Sequence, residues 1–214
     1  MATVADHTLI LPILLPFAAG IGLLLWQTPD ALVWQRRLSL VATAALAPLT
    51  ALLLFFTADG ADRFYLLGNW PAPFGIGLML DRLSALLLLL TALVALPALC
   101  YAMATDTDRQ GRFFHPLFQF QLMGLNGAFL TADLFNLFVF FEILLMASYG
   151  LLAHGGGRER IRAGLHYVIL NLTGSALFLI AIGTLYGLTG ALNLAELAVR
   201  IAAAPEADAG LLRA

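Results

Sequence analysis

Six long, predominantly apolar runs occupy most of this chain, and each extends over eighteen residues or more. A helix needs about 20 mostly apolar residues to cross a hydrocarbon layer of about 30 Å. The strict alternation of apolar and polar residues that is typical of a membrane β-barrel is absent from these runs. The runs therefore predict six membrane-spanning helices, at residues 8–26, 38–57, 76–103, 114–131, 134–153 and 164–188.

The amino-acid composition excludes the common classes of soluble protein. Hydrophobic residues make up 61% of the 214 residues and charged residues only 11%, against about 45–50% and about 25% in soluble domains. A soluble domain could not cover so much apolar surface with so few charges. A net charge of −2 without a basic block argues against nucleic-acid binding. We predict an all-α, polytopic transmembrane helix bundle that lies in a lipid bilayer.

All eleven basic side chains are arginines, and their placement predicts the orientation of the bundle. Cytoplasmic loops of membrane proteins carry an excess of positive charge. The N-terminus and the loops after the second and fourth spans carry only Arg63, with Arg82 near the start of the third span. The loops after the first, third and fifth spans carry seven arginines: Arg36, Arg37, Arg109, Arg112, Arg158, Arg160 and Arg162. We therefore predict that these three loops face the cytoplasm and that the N-terminus faces outside.

The segment after the sixth span, residues 191–214, is too charged to cross a membrane. Asn193, followed three residues later by Glu196, resembles a helix-capping box, and Pro205 is a plausible helix stop. The apolar residues between them fall on one helical face: Leu194, Leu197, Ala198 and Ile201. We predict an amphipathic helix over 192–204 that lies at the membrane interface, followed by the beginning of a loop.

Glu142 is the one acidic residue that falls in the middle of an apolar run. It is the ninth residue of the predicted fifth span, roughly 12 Å from the outer end at 1.5 Å per residue. An acidic side chain at that depth costs at least about 2.5–3.5 kcal/mol on insertion scales. On the same face of its helix only Tyr149 is polar, so a strong partner must come from another helix. We predict that Glu142 relays protons; a purely structural hydrogen bond is the alternative.

Weaker candidates for a proton path lie elsewhere in the spans. Asn126 and Gln119 are seven residues apart on the fourth span, so they share a face that lines a water path or bonds between helices. His166 lies near the cytoplasmic end of the sixth span, where an ordinary interfacial histidine is the alternative to a proton carrier. Asp133 lies at the outer mouth of the fifth span, where capping of the helix is the alternative to proton uptake. The sixth span also carries a small polar face that favours close helix packing: Asn171, Gly174 and Ser175.

The sequence predicts neither a metal site nor a cofactor. The four histidines lack metal-ligand spacing. The run Gly155-Gly156-Gly157 lacks the following lysine and hydroxyl residue of a phosphate-binding loop. No nucleophilic constellation is visible, so we expect a transport component and not an enzyme.

Two stretches of the sequence resemble a known family. Residues 118–142, FQFQLMGLNGAFLTADLFNLFVFFE, are similar to the antiporter-type subunits shared by respiratory complex I and the multi-subunit cation/proton antiporters. Residues 68–76, GNWPAPFGI, followed by DRLSA at 81–85, resemble more narrowly the D-type subunit of the Mrp/Pha-type antiporters. The resemblance extends along essentially the whole chain.

This resemblance implies a function and partners. It implies exchange of Na⁺ or K⁺ for H⁺ across a bacterial cytoplasmic membrane, by an assembly with other membrane subunits. In the family, a glutamate matching Glu142 works with a lysine of the seventh span along a central hydrophilic axis. This sequence contains no lysine and stops after the sixth predicted span. We expect the N-terminal fragment of a longer subunit; a short chain completed by a separate C-terminal half is the alternative.

Two other functions remain open at this point. A proton-pumping subunit of a redox complex, such as NADH:quinone oxidoreductase or a hydrogenase, would use the same helices and glutamate but take its energy from electron transfer. A non-transporting scaffold subunit would account for the missing lysines. The loop at residues 68–76 favours the antiporter.

Overall fold

A computed structural model describes residues 7–26, 31–70 and 75–203, and these residues are mostly helical. A 3₁₀ turn at Thr8–Ile10 leads into the first helix, and a short hairpin separates the second helix from the third. In chain order the elements are α1 (Leu11–Leu25), α2 (Leu32–Phe56), β1 (Arg63–Leu66), β2 (Gly77–Leu80), α3 (Arg82–Ala104), α4 (Phe114–Leu130), α5 (Leu134–Ala153), α6 (Arg158–Thr189) and α7 (Leu194–Ala202).

The predicted class of fold, an all-α transmembrane bundle, is confirmed. Five segments of the described chain are long and apolar enough to cross a membrane: Thr8–Leu25, Leu32–Phe56, Arg82–Ala104, Leu134–Ala153 and Arg158–Thr189. Helix α4 has 17 residues, which at 1.5 Å per residue gives about 26 Å, at the short limit for a hydrocarbon layer of about 30 Å. The count of six spans therefore stays a prediction.

The start of the third span was predicted wrongly, because residues 77–80 form a strand. β2 pairs antiparallel with β1, with Arg63 opposite Leu80 and Leu66 opposite Gly77. The helix begins only after Asp81, whose carboxylate accepts a hydrogen bond from the Ser84 amide at 2.7 Å. The Ser84 hydroxyl in turn accepts a hydrogen bond from the Asp81 amide at 2.9 Å. This capping box satisfies two of the free amides at the helix start and fixes the boundary.

Two helices begin earlier than predicted, since arginines continue them past the apolar run. α2 begins at Leu32 instead of residue 38, and α6 begins at Arg158 instead of residue 164. Arginine is a good helix former, and Gly157, with φ of +96°, makes the sharp change of direction before α6. The arginines predicted to lie in loops thus belong in part to the ends of long helices.

Helix α4 is the centre of the bundle and packs against α1, α2, α3 and α5. Its contact with α5 is close because glycines face the neighbouring helix: a Cβ on Gly124 would lie 2.8 Å from the Leu144 amide nitrogen, and one on Gly127 would overlap the Phe140 ring. Helix α6 packs mainly against α5, and Ile182 is its one buried residue within the described chain.

The predicted cytoplasmic loops meet at one end of the bundle. Arg36 at the start of α2 forms ion pairs with Asp106 and Asp108, which follow α3. Arg160 at the start of α6 donates a hydrogen bond to Gln110 Oε1 after α3 at 3.3 Å. The segment after α3 therefore contacts both the start of α2 and the start of α6, and the three arginine-rich loops lie at one end of the bundle.

The opposite end is held together by backbone hydrogen bonds between three segments. The Ala132 amide donates to the Gly77 carbonyl of β2 at 3.0 Å, and the Leu194 amide donates to the Ala132 carbonyl at 2.9 Å. The Leu134 amide donates to the Leu192 carbonyl at 3.0 Å. The starts of α5 and α7 are thus fixed beside the hairpin.

Helix α7 begins at Leu194, with Asn193 as its cap. The Asn193 side-chain oxygen accepts from the Ala195 and Glu196 amides at 3.1 and 3.4 Å. Glu196 pairs with Arg200 at 2.5 Å instead of returning to the cap, so only half of the predicted capping box forms. Pro205, the expected stop, lies outside the described residues, and the placement of α7 at the interface stays a prediction.

Candidate functional site

Glu142 lies on α5 with its carboxylate directed towards α6. The Ser175 hydroxyl on α6 donates a hydrogen bond to Glu142 Oε1. The partner thus comes from another helix, as the apolar stripe around Glu142 on α5 required. The glutamate is half-buried, and none of the ion pairs among the described residues includes it.

A groove of about 410 Å³ lies between α5 and α6 beside this hydrogen bond. Gly174, next to Ser175, has no atom within 4 Å of the position of a Cβ, so the two helices do not close over this face. Of the small polar face of α6, Ser175 contacts α5 whereas Gly174 does not, so the close packing predicted for this face is only partly present among the described residues. The residues that line the groove are Phe141, Leu145, Leu170, Asn171, Gly174, Ser175 and Phe178.

This arrangement has a defined chemical capacity. A carboxylate that accepts one hydroxyl hydrogen bond retains acceptor positions for a proton, a water or a cation. The remaining acceptor positions of Glu142 face the region of the groove between α5 and α6.

Asp133 caps α5. Its carboxylate accepts a hydrogen bond from the Asn136 amide at 2.9 Å, and the residue is 8% exposed. Its backbone is bridged to Asn193 ahead of α7. The structure therefore shows the capping alternative, and a role of Asp133 in proton uptake stays a prediction.

Asn126 and Gln119 are fully buried and join α4 to the first two helices. The Asn126 amide donates to the Pro12 carbonyl at 2.8 Å. The Gln119 amide donates to the Ser39 hydroxyl at 3.0 Å and the Thr43 hydroxyl at 2.9 Å. Both side-chain carbonyl oxygens are buried without a partner among the described residues. Bonding between helices is thus shown, and a water path along this face stays a prediction.

His166 lies exposed on α6. Its Nδ1 is 3.0 Å from the Arg162 carbonyl oxygen of the same helix. The four predicted residues therefore do not converge: Glu142 faces α6, Asn126 faces α1, Asp133 caps a helix end and His166 is exposed.

A buried charged cluster at the arginine-rich end was not predicted from the sequence. Asp108, 1% exposed, accepts hydrogen bonds from Arg36 Nε and Nη2, each at 2.6 Å. The Nε2 of His115 lies 3.1 Å from the same carboxylate. Burial raises the pKa of Asp108, but the hydrogen bonds and charge of Arg36, together with the His115 bond, outweigh it and lower the pKa overall. An acidic residue beside a span and an arginine-rich loop was the available signal.

Metal ligation has no support in the described part of the chain. No group of three or more histidine, cysteine, aspartate or glutamate side chains is placed to hold a metal ion there.

This chain is similar in sequence to a known membrane-protein family and to several of its members. The family model described as "NADH:quinone oxidoreductase/Mrp antiporter, TM" matches residues 131–210. The D-type subunit of a probable K(+)/H(+) antiporter of Rhizobium meliloti (strain 1021) is 51% identical over 203 residues, which cover 92% of this chain and 37% of that protein. The D-type subunit of the Na(+)/H(+) antiporter of Alkalihalophilus pseudofirmus is 40% identical over 197 residues, covering 92% of this chain and 40% of that protein.

Solved structures share the arrangement of helices. A chain of the Mrp complex from Dietzia sp. DQ12-45-1b matches with a TM-score of 0.76 and 30% identity, over 94% of this chain and 40% of that one. A chain of the membrane-bound sulfane sulfur reductase, an archaeal respiratory membrane complex, matches with a TM-score of 0.82 and 27% identity, over 89% and 39%.

The resemblance inferred from the sequence is thereby confirmed. The chain matches the N-terminal portion of the antiporter-type membrane subunits found in Mrp antiporters and NADH:quinone oxidoreductases. Within that class, the curated relatives described above are D-type subunits of monovalent cation/proton antiporters. The chain spans about two fifths of the length of these relatives.

Proposed function

We propose that this chain is the N-terminal portion of a membrane subunit of a multi-subunit antiporter that exchanges Na⁺ or K⁺ for protons across a bacterial cytoplasmic membrane. Identities of 51% and 40% to subunits named for K(+)/H(+) and Na(+)/H(+) antiport support this assignment. The match to a chain of an Mrp complex supports assembly with other membrane subunits.

Within this function, Glu142 relays protons. The observation that carries the assignment is a carboxylate in the middle of a spanning helix, hydrogen-bonded to Ser175 beside an open groove. Intramembrane carboxylates are costly, and they mark proton and ion pathways. Protonated Glu142 is neutral and tolerates the apolar surroundings. Ionised Glu142 is stabilised by the serine and attracts any cation that approaches through the groove.

The test is Glu142→Gln in the full-length subunit of the complete antiporter, assayed in everted membrane vesicles. Glutamine keeps the size of the side chain and accepts the Ser175 hydrogen bond, but it cannot bind and release a proton. We expect cation-dependent proton exchange to be abolished, while the amount of assembled complex in the membrane is unchanged.

Glu159→Gln is the matched control. Glu159 lies exposed in the first turn of α6, so the same chemical change at that position leaves exchange intact. Normal exchange by the Glu142 variant would overturn the relay assignment. Loss of exchange in both variants would show that exchange is sensitive to the loss of any carboxylate and not to that of Glu142 in particular.

A second function has its own support. The TM-score of 0.82 to a chain of an archaeal respiratory complex favours a proton pump that takes its energy from electron transfer. Gentle purification of the native assembly separates the two functions. Flavin or iron–sulfur subunits in the purified assembly indicate the redox pump, and their absence from an assembly active in antiport indicates the antiporter.

A further inference from the structure

A second groove, of about 340 Å³, lies between the end of α1 and the start of α2, far along the chain from Glu142. Its lining is almost wholly apolar and includes Gly22, Leu38 and Val41. Gly22 leaves room against α2, since a Cβ there would first meet Leu38 Cδ2 at 3.7 Å. This volume lies within the range of about 300–1,000 Å³ that is typical of small-molecule sites.

Two tryptophans form the rim of this groove. The rings of Trp26 and Trp34 are stacked, with centroids 6.5 Å apart and an interplanar angle of 26°. Gln35, 8% exposed, donates a hydrogen bond to the Trp26 carbonyl at 3.3 Å and so holds the two helix ends together. Both indoles are nonetheless more than 60% exposed. Exposed tryptophans at the ends of spans lie at the level of lipid headgroups.

The charge at the groove is Arg37. Its neighbour Arg36 turns into the bundle and binds Asp108, whereas Arg37 is exposed and lines the groove. No ion pair or hydrogen bond joins Arg37 to another residue among those described. The Arg37 guanidinium is suited to bind the anionic phosphate of a phospholipid, and the apolar groove beside it is suited to bind an acyl chain of the same lipid.

We infer that this groove binds an anionic phospholipid of the leaflet that the arginine-rich loops face. The headgroup phosphate binds Arg37 beside the two tryptophans, and an acyl chain lies along Gly22, Leu38 and Val41. The positive charge of Arg37 favours an anionic lipid. In a zwitterionic headgroup the ammonium group already compensates the charge of the phosphate, so its attraction to Arg37 is weaker. This site is separate from Glu142 and does not depend on the direction of ion exchange.

The experiment uses the full-length subunit in its assembled complex, in nanodiscs of dioleoylphosphatidylcholine. Two probes are compared in separate samples: a trace of phosphatidylglycerol and a trace of phosphatidylcholine, each with a photoactivatable diazirine in its acyl chain. Labelling of residues 11–56 is measured relative to labelling of α3 in the same complex. We expect phosphatidylglycerol to label α1 and α2 about fivefold more than phosphatidylcholine does, the preference of one arginine for an anionic lipid surface.

Three variants separate the parts of the site. Arg37→Ala removes the preference for phosphatidylglycerol. Arg158→Ala, the matched control at an exposed arginine of α6, keeps it. Val41→Trp fills the groove and lowers labelling of α1 and α2 by both probes; Val41 is 65% exposed, so the fold accommodates the larger side chain.

Several results would overturn the inference. Equal labelling of the wild type by both probes, or equal loss of preference in the Arg37 and Arg158 variants, indicates a non-specific lipid contact. Displacement of the phosphatidylglycerol label by inorganic phosphate alone indicates a site for a free anion. Absence of label from both probes at α1 and α2 indicates that a protein segment covers the groove.

Discussion

The charge of Asp108 stabilises the fold, because this carboxylate belongs to a buried ion pair. It is buried, it accepts two hydrogen bonds from Arg36, and His115 lies against it. Removing one partner of a buried ion pair is costly, because the other charge is left without compensation. Asp106 binds the same arginine at 2.8 Å but is more than half exposed, so solvent replaces it readily.

We therefore expect Asp108→Asn to lower the stability of the full-length subunit by about 1–3 kcal/mol, the cost of a buried polar group left badly paired. Asp106→Asn also removes a carboxylate that pairs with Arg36, but at an exposed position, so we expect it to have little effect on stability. Thermal unfolding of the purified protein in detergent measures both. Equal stability of the two variants would contradict a structural role for burial.

The stability difference between the wild type and Asp108→Asn depends on pH with a defined sign. Because the pKa of Asp108 is lowered in the folded state, the unfolded chain takes up a proton first as the pH falls. The stabilisation by Asp108 is thus complete above the ordinary aspartate pKa of 3.8 and is lost below it. The difference in thermal midpoint between the wild type and Asp108→Asn should stay constant near neutral pH and narrow in acid.

At the residue scale, the two acidic sites differ in how far the sequence reveals them. Glu142 is evident without a structure because one charge interrupts an apolar run, and its cost in lipid demands an explanation. The Asp108 cluster is not evident, because Arg36 is 72 residues away along the chain. Only the packing of α2 against the end of α3 brings them together.

At the scale of elements, the contact of α4 with α5 depends on small residues. Without a hydrophobic driving force between helices in lipid, association depends on close packing, which glycines permit. Gly124 and Gly127 let α5 approach the α4 backbone, and Gly150 of α5 receives Leu117, whose Cδ1 would lie 2.7 Å from an added Cβ.

We expect Gly127→Ala to lower the thermal stability of the subunit by about 1–3 kcal/mol, the usual cost of overpacking. The added methyl group would overlap the ring of Phe140, which is buried, so the ring or the helix must shift. Gly183→Ala on α6 is the matched control, since nothing lies within 4 Å of its Cβ position. The measurement compares the thermal midpoints of the two variants. A lower midpoint for Gly183→Ala together with an unchanged midpoint for Gly127→Ala would contradict the close packing of α4 against α5 at Gly127.

The existence of the long helices follows from apolar length alone, but their ends do not. Capping residues, not hydropathy, determine where α3 and α5 begin: Asp81 and Asp133 accept the first free amides. The strand at Gly77–Leu80 is apolar enough to extend a span by sequence, and only its backbone pairing with β1 shows otherwise. Hydropathy reports burial, whereas boundaries depend on hydrogen-bond partners that are distant in sequence.

At the scale of the whole molecule, the two ends of the bundle differ in kind. At one end, Arg36 pairs with Asp106 and Asp108, and Arg160 of α6 donates a hydrogen bond to Gln110, which follows α3. The other end is a backbone network of the hairpin with the starts of α5 and α7. The excess of positive charge typical of cytoplasmic loops predicts that the charged end faces the cytoplasm.

This direction is testable by labelling single cysteines with a membrane-impermeant maleimide in intact cells. Cys100 is a free thiol, so the background is the full-length subunit with Cys100→Ser and any further cysteines replaced. Asp62→Cys, exposed before β1, should react from outside, whereas Glu159→Cys, exposed at the start of α6, should react only after the cells are opened. Both positions lie at helix or hairpin ends, so reactivity reports the side of the membrane and not burial. The reverse pattern would place the N-terminus in the cytoplasm, and it would move the proposed anionic-lipid groove to the outer leaflet.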